Sequence, residues 1–187
     1  MAGRCVLALD QGGHASRALV FDPTGRVLAK AERRIGTRRE GKLKVEHSAH
    51  AVLRSLQDAA AEAVMALPAG MEIHAAALAT QRSSIACWDR QTARPLSPVL
   101  SWQDRRAVRR LRSLAAHERR VRQLTGLVLS PHYGASKLAW CLRHLPAVKR
   151  AAKAGRLAAG PLASFLAAGL TAVSNRLRRG LAERRRH

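Results

Sequence analysis

Short apolar runs dominate the first third of the chain. Residues 4–9 and 17–21 are mostly Val, Leu, Ala and Phe, and each run is of strand length. Asp22-Pro23-Thr24-Gly25 is a turn signal, and Val27 to Arg34 follows it as a third run. The pattern predicts three consecutive strands forming a β-meander. Arg38 to Lys44 is polar and predicts a loop. From Ala49 the period changes: Val52, Leu53, Leu56, Ala60 and Val64 recur at helical spacing. Ser48 suits the N-cap, and Pro68-Ala69-Gly70 stops the helix. Ile73 to Ala79 and Ile85 to Trp88 read as buried strands, Asp89-Arg90-Gln91-Thr92 as a turn, and Leu96 to Trp102 as extended. A long helix is predicted from Asp104 to Leu124, with Val108, Leu111, Leu114, Ala115, Val121 and Leu124 on one stripe and most arginines off it. Gly126 closes that helix, and Ser130-Pro131-His132-Tyr133-Gly134 is a loop. Ser136 to Leu145 predicts a helix, Pro146 opens another that ends near Gly155, and Gly160 to Leu170 reads as helical. There is no internal repeat.

Composition narrows the class. The chain has 187 residues, room for one domain, and 47% of them are apolar, a globular proportion. Aromatics are only 3%, so Leu, Val and Ala must build the core. No apolar run approaches the ~20 residues of a membrane helix. The start lacks the features of a signal peptide, so a cytoplasmic location and no membrane partner are expected. Cys5, Cys87 and Cys141 are widely spaced among apolar neighbours and predict buried thiols rather than a zinc site or a disulfide framework. The formal net charge is +22. Such a field attracts polyanions, yet arginines spread among alanines are also what GC-rich coding produces. Nothing resembles a helix-turn-helix, a zinc finger or an aromatic stacking motif, so no specific nucleic-acid partner is expected.

Candidate chemistry sits at the first corner of the meander, Asp10-Gln11-Gly12-Gly13-His14. A Gly-Gly turn lets the backbone approach an anion closely. An aspartate at a strand end can hold magnesium through its waters. The same residues also suit an ordinary hairpin.

Three separated stretches carry a resemblance. Leu9-Asp10-Gln11-Gly12, with Ser16-Arg17-Ala18 and Phe21-Asp22, resembles the opening of the FGGY carbohydrate kinases, their glycerol-kinase branch in particular. Thr80-Gln81-Arg82, Trp88-Asp89 and Trp102-Gln103-Asp104-Arg105-Arg106 resemble the family's substrate-binding region. Thr125-Gly126-Leu127, Leu129-Ser130-Pro131 and Ser136-Lys137-Leu138-Ala139-Trp140 resemble its next block, and Val45-Glu46-His47 a smaller one. The resemblance implies an α/β fold of the actin-like ATPase, ribonuclease-H-like kind, with a mixed sheet and flanking helices. It implies γ-phosphoryl transfer from ATP, with Mg2+, to a hydroxyl of a sugar or polyol bound in a cleft between two domains. By the same resemblance Asp10 holds the metal; Asp10, Gly12, Gly13, His14 and Arg17 form the nucleotide-phosphate side. Gln81, Arg82, Ser83, Trp102, His132 and Tyr133 form the substrate side.

The chain also departs from the family. Gly13 and His14 stand where hydroxyl residues usually bind phosphate oxygens, and Ser83 stands where glycerol kinases carry a glutamate. His132-Tyr133 leaves the register of the substrate tyrosine open. The family's proton-accepting aspartate lies in a block beyond this chain, so no catalytic base is expected within it. Residues 1–170 are expected to form an incomplete N-terminal domain and 171–187 a basic tail. That tail is expected either to bind an anionic partner or to be out-of-frame translation. Two further readings stand beside it: from these departures, a non-catalytic half that senses a sugar or nucleotide or pairs with a second kinase half or another copy; and from the charge, a basic nucleic-acid-binding protein.

Overall fold

A computed structural model describes residues 3–172, and the basic segment expected over 171–187 lies almost wholly outside them. The chain divides into two compact units. Of the described residues, 3–36, 48–81 and 163–172 form the first, and 37–47 and 82–162 the second.

The first unit opens with the predicted meander: β1 (Gly3–Gln11), β2 (Ala15–Phe21) and β3 (Val27–Arg34). A helix, α1 (Ala49–Met65), and a parallel strand, β6 (Met71–Thr80), complete a mixed sheet of order β3-β2-β1-β6. The register puts Leu7 opposite Val20, Leu9 opposite Ala18 and Gln11 opposite Ser16. Val20 and Ala18 in turn face Ala29 and Ala31 of β3. These side chains therefore share one face, and all are buried. Against it α1 packs Ala49, Val52, Leu56, Ala59 and Ala63. Small side chains on both partners let helix and sheet approach closely, which is how so few aromatics suffice. Ser48 caps α1 by accepting from the Ala51 N–H at 3.3 Å.

Three expectations in this unit are corrected. The inward stripe of α1 runs through Ala59 and Ala63, while Val64 is 42% exposed. Residues 73–79 do form a strand, but no residue of β6 is buried. It is an edge strand paired only with β1, and α1 covers the strands on the other side. Last, Gly160 is strand rather than helix. The helix α6 covers residues 162–172 and buries Phe165 and Leu166.

The second unit is an antiparallel sheet of order β4-β5-β8-β7-β9, comprising Arg38–Glu40, Lys44–His47, Val99–Leu100, Ile85–Asp89 and Leu157–Pro161 for β4, β5, β8, β7 and β9. Its core joins Ile85, Cys87 and Leu100 to Cys141 of α4 (Gly134–His144) and Val148 of α5 (Pro146–Lys153). All three cysteines are buried free thiols, as expected. The polar stretch 38–44 is a hairpin rather than a loop. Its cross-strand pairs are charged, with Lys44 on Glu40 at 2.6 Å and Arg38 near Glu46 at 3.7 Å, so no apolar alternation announced it. The extended stretch 96–102 contributes only the two residues of β8.

The long helix expected over 104–124 is broken into α2 (Val108–Arg112), a 3-10 turn at Ala115–His117 and α3 (Glu118–Thr125). None of the three buries a residue. Ser113 bonds back to the Arg110 carbonyl at 2.8 Å, a side-chain bond that competes with helix propagation. A periodic stripe without an apolar surface to meet does not hold one long helix together. Gly126, with φ of 71°, closes α3 as expected. No helix among the described residues is long and apolar enough to cross a membrane.

Candidate functional site

In the first unit the β1–β2 corner is fastened from beneath. Gln11 is fully buried. Its Oε1 accepts from Ser16 Oγ at 2.7 Å, and its Nε2 donates to the Gly12 carbonyl at 3.1 Å. Ser16 Oγ lies 2.6 Å from Ser55 Oγ on α1. A fully satisfied buried network of this kind rigidifies the backbone it holds. The Gly12 N–H donates to the Ala15 carbonyl at 2.9 Å and closes the turn. A Cβ on Gly12 would come within 3.3 Å of that carbonyl, and one on Gly13 within 3.7 Å of Gln81 Oε1. Gln81 is held here through its N–H, which donates to the Gln11 carbonyl at 3.0 Å. Its side-chain amide is enclosed, yet neither Oε1 nor Nε2 has a hydrogen-bond partner. Each enclosed, unpaired polar group costs about 1–3 kcal/mol, which a ligand with matching groups would recover.

Asp10 and Arg17 face each other across β1 and β2, and Arg17 Nη1 donates to Asp10 at 3.3 Å. Arg17 Nε donates to Glu32 at 2.8 Å, and chiefly through that bond the guanidinium holds its proton above the ordinary arginine value. Both Asp10 and Arg17 are about half exposed. His14 is exposed, and its carbonyl accepts the Ile35 N–H at 2.9 Å. Among the described residues no three His, Cys, Asp or Glu side chains gather into a metal cage. A lone carboxylate such as Asp10 fits a magnesium ion that keeps its waters and is held mainly by phosphate oxygens.

The second unit assembles the remaining candidates around one lysine. Lys137 of α4 is fully buried, and its Nζ donates to the carbonyls of Ser83 and His132, each at 2.9 Å. It thus ties the segment before β7 to the loop before α4. Ser83 sits at φ 61°, a left-handed conformation that a non-glycine residue adopts at a cost. Next to it, Ser84 is buried and its Oγ accepts the Trp102 N–H at 2.9 Å. The Trp102 ring meets the His132 ring edge-on at 6.0 Å, and His132 meets Tyr133 at 5.6 Å. Ser83, Trp102, His132 and Tyr133 are therefore brought together, with Trp102 43% exposed. Arg82 is exposed and precedes the cluster in the chain.

A buried ion network lies on the far side of Lys137. Asp104 is fully buried; it accepts the Val45 N–H at 2.8 Å and pairs with Arg106 at 2.8 Å. Arg106 also pairs with Glu46 at 2.7 Å and lies over the Trp140 ring at 4.6 Å. Burial opposes the Arg106 charge, but the bonds to Asp104 and Glu46 prevail and keep its pKa above the ordinary value. For Lys137 burial prevails: its pKa falls from 10.5 to about 8, despite the favourable charge of Asp104. Sequence reasoning placed Lys137, Asp104, Arg106 and Glu46 in the motifs that carry the family resemblance but assigned them no role, because isolated charges read as solvated. A further signal was Lys137 placed between Ser136 and Leu138-Ala139-Trp140 on a helix whose other residues are largely apolar.

The profile of the FGGY family of carbohydrate kinases, N-terminal domain, matches residues 5–174. The chain belongs to that family. FGGY relatives include the glycerol kinase of Gluconobacter oxydans, 38% identical over 169 residues that make up 89% of this chain and 33% of that protein. The glycerol kinase of Trichlorobacter lovleyi is 40% identical over 170 residues, 89% of this chain and 34% of the relative. The chain thus spans about a third of the length of the curated relatives it matches. The same FGGY fold is found in Plasmodium falciparum glycerol kinase with ADP, at a TM-score of 0.81, 18% identity and coverage of 88% of this chain and 33% of that one. Gluconate kinase from Lactobacillus acidophilus superposes with a TM-score of 0.73 at 14% identity, covering 88% and 32% of the two chains. The expected actin-like α/β class, with a mixed sheet and flanking helices, is therefore the fold of this FGGY chain.

Proposed function

We propose that this chain is the N-terminal, substrate-side portion of an ATP-dependent carbohydrate kinase that phosphorylates a hydroxyl of a sugar or polyol. The single observation that carries the reading is the enclosed, unpartnered amide of Gln81 beside the Gly12-Gly13 turn. A hydroxyl offers both a donor and an acceptor, which is what an orphaned amide lacks. Gln81, Arg82 and Ser83 bind substrate hydroxyls, and Trp102, His132 and Tyr133 wall the pocket. Gly12 and Gly13 line the turn that faces the nucleotide phosphates, His14 and Arg17 lie on that side, and Asp10 holds the magnesium through water. ATP with Mg2+ supplies the phosphoryl group and neutralises the charge that develops on it.

The proton-accepting carboxylate of the full enzyme is assigned outside these residues. In support, Asp22 caps its turn through Thr24, Asp89 caps its own turn and pairs with Arg156, and Asp104 is buried on Arg106. Ser83 accepts hydrogen bonds more weakly than the glutamate of glycerol kinases, so a larger polyol or sugar is favoured over glycerol. A coupled ADP-release assay with glycerol, gluconate and xylulose tests the assignment of the base: the 187-residue chain turns over none of them, and sustained turnover by it would refute the assignment.

Calorimetric titration with the same compounds tests the substrate side. Gln81→Leu abolishes binding without lowering stability, because the amide it removes has no partner to lose; unchanged binding would sink the reading. The substitutions at Gly13, His14 and Ser83 favour a second reading, a non-catalytic half that senses a sugar or pairs with another chain. Ligand binding together with inactivity after a complete second half is supplied would select it.

A further inference from the structure

Apart from the residues considered so far, the second unit contains a cavity of about 540 Å³ between the β4–β5 hairpin, the segment leading into α2, and α4. Its volume falls within the ~300–1,000 Å³ typical of small-molecule sites. Its lining includes five cationic side chains, Lys44, Arg106, Arg109, Arg110 and Arg143, together with His144, and no carboxylate. Lys44 is paired with Glu40, and Arg106 with Asp104 and Glu46. The side chains of Arg109, Arg110 and Arg143 make no ion pair or hydrogen bond among the described residues, and all three residues are exposed.

One wall is rigid. Arg106, with only 5% of its side chain exposed, lies against Trp140, whose ring stacks on His144 at a centroid distance of 4.9 Å and an interplanar angle of 28°. Three unpaired guanidiniums converging on one concavity raise the local potential more than the same charges spread over a flat surface. Guanidinium forks match phosphate oxygens in pairs. A flat basic face would suit a nucleic acid or an acidic protein; a half-open concavity of this size suits a small molecule.

We propose that this cavity is a binding site for a small anion carrying phosphate groups, held by Arg109, Arg110 and Arg143 against the Trp140–His144 wall. It is separate from the Asp10–Arg17 corner of the first unit, and it does not depend on the kinase reading.

The test is calorimetric titration of the full 187-residue chain with inorganic pyrophosphate at roughly physiological salt. Arg109→Ala/Arg110→Ala/Arg143→Ala is compared with Arg4→Ala/Arg54→Ala/Arg150→Ala, which removes the same charge from exposed positions outside the cavity. The cavity variant is expected to bind about tenfold or more weakly, the charge-matched variant within about twofold of the parent. Arg17→Ala reads out any pyrophosphate that binds at the nucleotide-phosphate corner instead. The proposal fails if pyrophosphate does not bind, if both triple variants lose affinity alike, or if Arg17→Ala alone removes the binding. Binding of polyglutamate or single-stranded DNA in preference to pyrophosphate would also overturn it, because that identifies a polymer surface.

Discussion

Lys137 links the fold of the second unit to its candidate substrate residues, and its titration gives a quantitative test. The ammonium is fully buried and bonds the Ser83 and His132 carbonyls, while burial lowers its pKa from 10.5 to about 8. The folded chain therefore releases this proton near pH 8, whereas the unfolded chain keeps it until about pH 10.5. Within that window the unfolded state binds more protons, so the site makes stability rise with pH. From about pH 7 to about pH 9.5 the gain integrates to about 2 kcal/mol. Lys137→Met removes this gain and leaves two carbonyls without their donor, at about 1–3 kcal/mol each. At neutral pH that loss is largely offset by relief of the buried charge, so the substitution is close to neutral there. Its cost should grow by about 2 kcal/mol towards pH 9.5. Urea denaturation followed by tryptophan fluorescence measures it well: Trp88, Trp102 and Trp140, the only tryptophans, all lie in the same unit as Lys137. Other groups titrating in the window are present in both proteins and cancel in the difference. A stability difference that is independent of pH, or that shrinks as pH rises, would refute the argument.

Two further predictions concern the frame around the site. A Cβ on Gly134 would meet Ile85 Cγ2 at 2.7 Å, and Ile85 is buried and β-branched, so it has little room to turn away. Gly134→Ala is expected to cost about 1–3 kcal/mol by denaturation, and the cost should vanish in an Ile85→Ala background; equal costs in both backgrounds would rule out the clash. Asp104→Ala leaves the buried Arg106 with Glu46 alone and the Val45 N–H without its acceptor, and is expected to cost about 3–5 kcal/mol. A loss below about 1 kcal/mol would show that the pair behaves as a solvated one.

The comparison of pattern with structure has a physical logic. The meander and α1 were legible because one face of each is buried: Leu7, Leu9, Ala18, Val20, Ala29 and Ala31 impose a period of two, and Val52 and Leu56 a helical one. Where burial is absent the same periods mislead. The stripe Val108–Leu111–Leu114–Val121–Leu124 has helical spacing, yet no residue of α2 or α3 is buried, and the helix breaks at Ser113–Leu114. The run Ile73 to Ala79 is apolar yet forms an exposed edge strand, since apolar composition reports what can be buried and not whether a partner is there to bury it. The hairpin at 38–47 was invisible for the opposite reason: its pairing rests on charges.

Within the site the division is similar. Gln81, Trp102 and the glycine turn could be named as candidates from family motifs, because short local stretches carry them. Lys137, Asp104 and Arg106 stand in the same motifs, but their positioning role was not legible, because a charged residue reveals its burial only when its partners arrive from distant segments: Ser83 lies 54 positions before Lys137, and Glu46 lies 60 before Arg106. The long-range charges therefore do the positioning. Loss of Lys137 should accordingly disturb Ser83 and His132 together, although neither is its neighbour in the chain.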